Sequence, residues 1–199
     1  MKKRVLNRIT AAFLAISAIF AFSFIITSAA PSPLPTKLEK PFAEGPILIT
    51  SAGQSADVHM VYVSACKIGL ECIDNPLMEE KDVDISRFKT VIFAIGGSIK
   101  GLNAAGINQY QELERCMEIV HKAKDACSII VVHIGGKARR GALSDSFIKE
   151  ITPFSDFIIV LQGGDDDGLF AKMARDGNIP MEIIKNVTEI SAALKKAFK

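Results

Sequence analysis

Three short apolar runs, each leading into a pair of glycines, constrain the fold of this chain most strongly. Short runs without alternation are typical of strands that a parallel sheet buries on both faces. Two weaker runs, at 47–50 and 181–184, predict further strands, and a very short strand is expected within 71–77. The three runs and their glycine pairs are 91–95 with Gly96-Gly97, Ser128–His133 with Gly135-Gly136, and Phe157–Leu161 with Gly163-Gly164.

Segments with helical spacing of apolar residues alternate with these strands. The clearest spans 108–124, and others are predicted over 56–68, 145–151, 169–176 and 188–198. Alternating strands and helices favour parallel pairing with right-handed crossovers. The predicted fold is therefore a three-layer α/β/α sandwich with a mainly parallel sheet of about five strands. Its expected strand order is flavodoxin-like or Rossmann-like, 2-1-3-4-5.

The N-terminal segment has the pattern of an export signal. Four basic residues, Lys2, Lys3, Arg4 and Arg8, precede an uncharged stretch over 9–26. A basic start, an apolar middle and a small-residue exit predict a signal peptide over 1–29, or an N-terminal membrane anchor if it is not cleaved. The Pro-rich stretch 30–45 is predicted to be an extended linker without packed structure. Residues 46–199 then form a single α/β domain, secreted or on the extracytoplasmic face of the membrane.

The charge of the chain does not suggest a polyanion as partner. The 24 basic and 22 acidic residues give +2, and removing the four basic residues of the export segment leaves 20 against 22, or −2. A domain without basic excess is not expected to bind nucleic acid. The expected partners are a small anionic molecule, an envelope protein, and the membrane if the N-terminal segment is retained.

Four cysteines are compatible with more than one interpretation. Export permits disulfides, but the spacing does not fit a metal site. The sequence favours buried free thiols over a bridge and leaves any pairing open. The four residues are Cys66, Cys72, Cys116 and Cys127.

The loops that follow the strands form the candidate ligand site. In parallel sheets of this kind, ligands bind beyond the carboxyl ends of the strands. Glycines allow close approach and anion-binding turns, hydroxyls add hydrogen bonds, and arginines pair with carboxylate or phosphate. The alternative is that the glycines only turn the chain and the polar residues cap helices. The predicted site residues are Ser51, Gly53, Gln54, Ser55, Gly96, Gly97, Ser98, His133, Gly135, Gly136, Arg139 and Arg140.

Catalytic residues are less well defined. His133, at a strand end, is the one weak candidate for an acid or a base, and it is equally typical of a structural histidine. A Gly-x-Ser-x-Gly elbow is missing from the sequence. The three aspartates at 165–167 are interpreted as a solvated helix cap rather than a cation site. No metal site and no particular cofactor are predicted.

Two resemblances to known families involve the same loops. The segments 49–57, 96–102 and 133–141, with Gln111-Glu112-Leu113-Glu114-Arg115, resemble an uncharacterised family of exported bacterial α/β proteins, a domain of unknown function. That resemblance covers most of 46–199 and implies export and one domain, without an activity. The segment 50–55 is similar to the phosphate loop of flavodoxins, although Ala52 stands where that loop has a hydroxyl.

Three functions follow as hypotheses. The favoured one is an exported α/β domain that binds a small, anionic ligand at the glycine-rich edge of its sheet and is not an enzyme. The second is an enzyme or a flavodoxin-like nucleotide-binding protein that uses the same edge. The third is an envelope domain that binds a protein partner and has no small ligand.

Overall fold

The sheet of this protein contains six parallel strands, as seen in a computed structural model that describes residues 35–79, 84 and 87–199. The strand order is β2-β1-β3-β4-β5-β6. It confirms the predicted parallel α/β fold and the 2-1-3-4-5 order, with one strand more than the expected five. The strands are β1 (Ile47–Ala52), β2 (Cys72–Asp74), β3 (Thr90–Ile95), β4 (Ser128–His133), β5 (Phe157–Leu161) and β6 (Met181–Ile184).

Six α-helices connect or follow the strands in the described part of the chain. One of them, α2, is absent from the sequence prediction because it is short and buries only Leu102. It begins where Ser98 accepts a hydrogen bond from the Gly101 N–H, and it ends at Gly106. The helices are α1 (Asp57–Cys66), α2 (Ile99–Ala105), α3 (Gln109–Ala123), α4 (Ala142–Ile151), α5 (Leu169–Asp176) and α6 (Ile190–Ala197).

The sheet separates two apolar layers. One layer packs α1 and α6 against side chains such as Ile49, Ile92 and Ile130. The other packs α3, α4 and α5 against side chains such as Phe93 and Val131. Every residue of β1 and β3 is buried, as expected for strands covered on both faces. This sandwich holds the carboxyl ends of the strands, and the loops that follow them, along one rigid edge.

Packed structure begins before Pro46, the residue at which the sequence predicts the start of the domain. Ala43 is fully buried, and the backbone N–H groups of Phe42 and Ala43 both donate to the carbonyl of Ala197. Thr36 accepts a hydrogen bond from the N–H of Met181 at the edge strand β6. The second half of the Pro-rich stretch therefore lies against the domain instead of forming an unpacked linker.

The predicted export segment, 1–29, lies outside the described residues. In the part of the chain that the structure describes, no helix is both long and apolar enough to span a bilayer.

Candidate functional site

A buried ion pair in α3 holds the loop after β1 in place. Glu112 is fully buried and accepts hydrogen bonds from the N–H of Gly53 at 2.9 Å and from the side-chain amide of Gln54 at 3.0 Å. Arg115 donates to Glu112 at 2.8 Å and to the carbonyl of Ser51 at 2.6 Å. In the segment that resembles a flavodoxin phosphate loop, the N–H of Gly53, the side-chain amide of Gln54 and the carbonyl of Ser51 are therefore bonded to the protein itself.

This ion pair was not predicted, although the sequence contains a signal for it. Glu112 and Arg115 are three residues apart on a helix, which is the spacing of a pair on one helical face. That face also carries Cys116 and Ile119, both fully buried. A charged pair in an otherwise apolar stripe predicts a buried ion pair with further polar partners, which here are in the β1 loop.

Backbone contacts close the gap between the loops after β1 and β3. The N–H of Gly96 donates to Ala52, and the N–H of Ser98 donates to Gly53 at 2.8 Å. Gly101 lies so close that an added Cβ would be 1.9 Å from the carbonyl oxygen of Gln54. The strand-order switch between β1 and β3, where such folds commonly bind ligands, is therefore filled by the protein backbone.

One carboxylate at this edge has an oxygen without a partner. Oδ2 of Asp57 is buried and makes no hydrogen bond within the described residues. It occupies the space that side chains at Gly96 and Gly135 would take, 3.2 Å from an ideal Cβ on each. The Ser55 hydroxyl accepts a hydrogen bond from the N–H of Asp57 at 3.2 Å. The structure thus places the carboxylate of Asp57, which is not among the predicted site residues, between two of the glycine loops.

His133 faces the interior and not the solvent. Its side chain is fully buried, with Nδ1 2.9 Å from the carbonyl oxygen of Ile95 and Nε2 3.4 Å from that of Gly136. Its ring also packs on Phe170, with 5.4 Å between ring centroids. Burial lowers the pKa of His133, which favours the neutral imidazole. This environment fits a structural histidine better than an acid or base that acts on a bound substrate.

Arg140 joins the loops after β4 and β5. Its guanidinium donates to Asp145 at 2.8 Å, to Asp167 at 2.8 and 2.9 Å, and to the carbonyl of Gly164 at 2.6 Å. The hydrogen bond with Asp167 raises the pKa of Arg140 further above its ordinary value. Most of its donors are therefore used inside the protein.

Arg139, the adjacent residue, is placed differently. Its aliphatic stem covers Gly135, where an added Cβ would lie 2.0 Å from Cγ. Its guanidinium makes no hydrogen bond or ion pair to any described residue. Arg139 borders a pocket of about 200 Å³ between the loops after β3 and β4, at the start of α4. The pocket is lined by Gly97, Ala138, Arg139, Arg140, Gly141, Ala142, Leu143 and Ser144.

The start of α4 completes this pocket. Gly141, with φ of 132°, precedes the helix, and no side chain at that position caps the first turn. The N–H of Gly97 donates to the hydroxyl of Ser144 at 2.8 Å, which brings the β3 loop against the helix. Three predicted site residues, Gly97, Arg139 and Arg140, meet here. The other nine predicted site residues contribute mainly to the packing and hydrogen bonding of the loops after β1, β3 and β4.

Acidic residues in the β5 loop cap a helix. Asp165 accepts from the N–H groups of Phe170 at 2.6 Å and Ala171 at 3.1 Å, and Asp167 accepts from Leu169 at 3.3 Å. Among the described residues, no three His, Cys, Asp or Glu side chains are grouped as metal ligands.

These features define a parallel α/β protein with glycine-rich loops along the carboxyl edge of its sheet. More specifically, the chain belongs to a family described as a domain of unknown function (DUF6305), whose profile matches residues 44–198. No curated protein matches the chain, and no solved structure does.

Proposed function

We propose that this protein is an exported, single-domain binding protein whose pocket between the β3 and β4 loops receives the anionic group of a small ligand. The observation that carries the proposal is the position of Arg139, whose guanidinium is unpaired among the described residues and which lines one pocket with the start of α4.

The chemistry of the pocket suits a carboxylate or a phosphate. Arginine offers a planar fork of donors to such groups, and a helix start offers free N–H groups and a positive dipole end. The nearby carboxylate of Asp145 is paired with Arg140, so its negative charge is offset. A volume of about 200 Å³ has room for a small anion or for the anionic end of a larger ligand.

The loop after β1 is the weaker alternative for the anion. The N–H groups of Gly53, Gly96 and Ser98 are already bonded within the protein. A phosphate placed there would compete with the buried carboxylate of Glu112 for the Gly53 N–H. This favours the β4 side of the edge and argues against the flavodoxin-like hypothesis.

A thermal-shift titration with inorganic phosphate, sulfate and acetate tests the proposal. Binding to the folded state raises the melting temperature as the anion concentration increases. Arg139→Gln should remove that shift, whereas Lys137→Gln, at an exposed position of the same loop, should retain it. An unchanged melting temperature of the wild type in all three anions would overturn the proposal.

Export is tested separately by the N-terminus of the protein recovered from an exporting host. A chain that begins at Ala30 shows signal-peptide cleavage, and a membrane-bound chain that begins at Met1 shows a retained anchor. Recovery of the intact chain from the cytoplasm would contradict export.

A partner-binding function is the second candidate, favoured by an exposed apolar surface on α1. Val63 is 62% exposed and Met60 is 46% exposed. With Val187 and other residues they line a groove of about 390 Å³. If a protein partner covers this groove, a photo-crosslinking residue at position 63 should capture it in the exporting host, and one at the exposed position 118 should not.

A further inference from the structure

Two cysteines lie at one corner of the fold, where α1 ends and β2 begins. Cys66 is the last residue of α1 and is exposed, which differs from the buried position expected from the sequence. Cys72 is the first residue of β2 and is partly buried. A short loop joins them, and in it the N–H of Gly69 donates to the carbonyl of Cys66 at 2.9 Å.

A contact at the other end of the same two elements fixes how they face each other. His59 in α1 lies 2.7 Å from the carboxylate of Asp74 in β2. Because β1 and β2 are parallel, the connecting helix runs antiparallel to β2. Moving from His59 toward Cys66 therefore follows the same direction as moving from Asp74 toward Cys72.

Helix and strand geometry bring the two thiols onto these facing surfaces. Cys66 lies seven residues after His59, two helical turns and about 10 Å along the same helical face. Cys72 lies two residues before Asp74, about 7 Å along the same strand face. The side chain of Cys72 packs in the apolar layer under α1, together with Tyr62.

Tyr62 lies one helical turn before Cys66, on the same face of α1. The neighbouring Cys66 side chain raises the pKa of the Tyr62 phenol, and Asp74 and Cys72 act in the same direction. Burial and the neighbouring Cys66 raise the pKa of Cys72 to about 12. The two thiols therefore lie on the surfaces where α1 and β2 face each other, joined by the short loop between them.

We infer that Cys66 and Cys72 form a thiol pair that a small-molecule disulfide oxidises to an intramolecular bridge. The exposed Cys66 thiolate attacks one sulfur of oxidised glutathione, forms a mixed disulfide and releases one glutathione thiol. The Cys72 thiolate then attacks Sγ of Cys66 and releases the second glutathione thiol. Two protein thiols lose two protons and two electrons, and one glutathione disulfide is reduced to two thiols.

The chemistry of the pair is consistent with this order. Cys66 is the accessible sulfur, so it reacts first. Once it is part of a mixed disulfide it carries no negative charge, which removes one of the effects that raise the pKa of Cys72. The bridge would clamp the end of α1 to the edge strand β2 and close a loop of seven residues, 66–72.

Peptide mapping after oxidation tests the inference on the folded, purified chain. Trypsin cuts after Lys67, between the two cysteines, so the bridge joins peptides 38–67 and 68–81. We expect the intact protein to lose the mass of two hydrogens and to yield this linked pair of peptides. Cys66→Ser and Cys72→Ser should each abolish it, whereas Cys127→Ser should retain it.

Several outcomes would overturn the inference. Stable glutathione adducts on Cys66 would show that Cys72 cannot reach the mixed disulfide. A disulfide between the Cys66 residues of two copies, or no reaction at either cysteine, would also overturn the inference. Circular dichroism spectra of the serine variants are compared with that of the wild type, so that a loss of folding is distinguished from a loss of the bridge. Equal bridging in the wild type unfolded in urea would show that the folded geometry does not direct the pairing.

Discussion

Glu112 in helix α3 accepts the backbone N–H of Gly53, 59 residues earlier in the chain, at 2.9 Å. The same carboxylate pairs with Arg115, whose side chain is 8% exposed. Arg115 in turn donates to backbone carbonyls at Ser51 and Met78. One buried ion pair therefore fixes both the loop after β1 and the segment that follows β2.

Replacing Glu112 should destabilise the fold strongly. In Glu112→Gln the Arg115 guanidinium remains buried without its counter-charge, and removing one partner of a buried ion pair costs about 3–5 kcal/mol. Urea unfolding should show this loss of unfolding free energy. Glu118→Gln is the matched control, because Glu118 is exposed on the same helix and its loss should change stability by less than about 0.5 kcal/mol. Equal midpoints for the two variants would contradict a structural role for the pair.

Arg140 should link the stability of the protein to acidic pH. Its hydrogen bonds lower the pKa of Asp167, and they also lower that of Asp145 against the opposing effect of burial. A carboxylate whose pKa is lowered in the folded state stabilises the fold when the pH is above the pKa that it has in the unfolded chain, about 3.9. That contribution is lost as the pH falls below about 4 and through the folded pKa values.

Arg140→Ala should therefore lower the free energy of unfolding at pH 7 by about 2 kcal/mol, which is within the range for hydrogen bonds to charged groups. It should also reduce the loss of stability between about pH 5 and pH 3, measured by urea unfolding across that range. Arg139→Ala is the control: it removes an adjacent arginine that is unpaired among the described residues, so it should keep the wild-type pH profile. Identical profiles for all three proteins would show that the Arg140 contacts do not stabilise the fold.

His133 should contribute a second pH dependence, at higher pH. Burial lowers its pKa in the folded state, so below about 6.5 the unfolded chain binds a proton more readily than the folded chain. Stability is then retained above about pH 6.5 and decreases as the pH falls below it. The unfolding free energy, measured from about pH 7.5 to 5.5, should fall less steeply in His133→Asn than in the wild type. A ring that titrates at or above about pH 6.5 by NMR would contradict the buried, neutral histidine.

The strands could be predicted from the sequence because their environment is uniform. A strand buried on both faces requires a continuous apolar run, as at 91–95, and leaves little ambiguity. The edge strand β2 has only three residues, and Ile73 in its centre is 40% exposed. Its pattern is correspondingly weak, which is why only its approximate position was predicted.

The candidate site was predictable in position but not in detail. That the glycine loops meet at one edge follows from the parallel topology alone. Which polar groups remain free depends on partners far away in the chain: Glu112 for Gly53, and Ser144, 47 residues away, for Gly97. Arg139 and Arg140 are adjacent and chemically identical. Only the positions of acidic partners distinguish Arg140, which is paired, from Arg139, which has no partner among the described residues.

Gly101 in α2 lies directly against the backbone of the loop after β1. A Cβ at position 101 would lie 1.9 Å from the carbonyl oxygen of Gln54, which is backbone and cannot move without displacing the loop. Gly101→Ala should therefore push α2 away from the β1 loop and cost about 3 kcal/mol of unfolding free energy, the upper end of the usual cost of overpacking.

Gly106→Ala, at the end of the same helix, is its control. Gly106 has φ of 71° and no atom within 4 Å of an added Cβ, so this variant should lose only about 1 kcal/mol, from backbone strain. The two unfolding free energies are compared in urea, and hydrogen exchange of the Ser98 N–H, which donates to Gly53 at 2.8 Å, reports directly on the loop contact. Faster exchange should occur in Gly101→Ala alone. If Gly101→Ala is as stable as Gly106→Ala and exchanges as slowly, the two loops are not in contact as described.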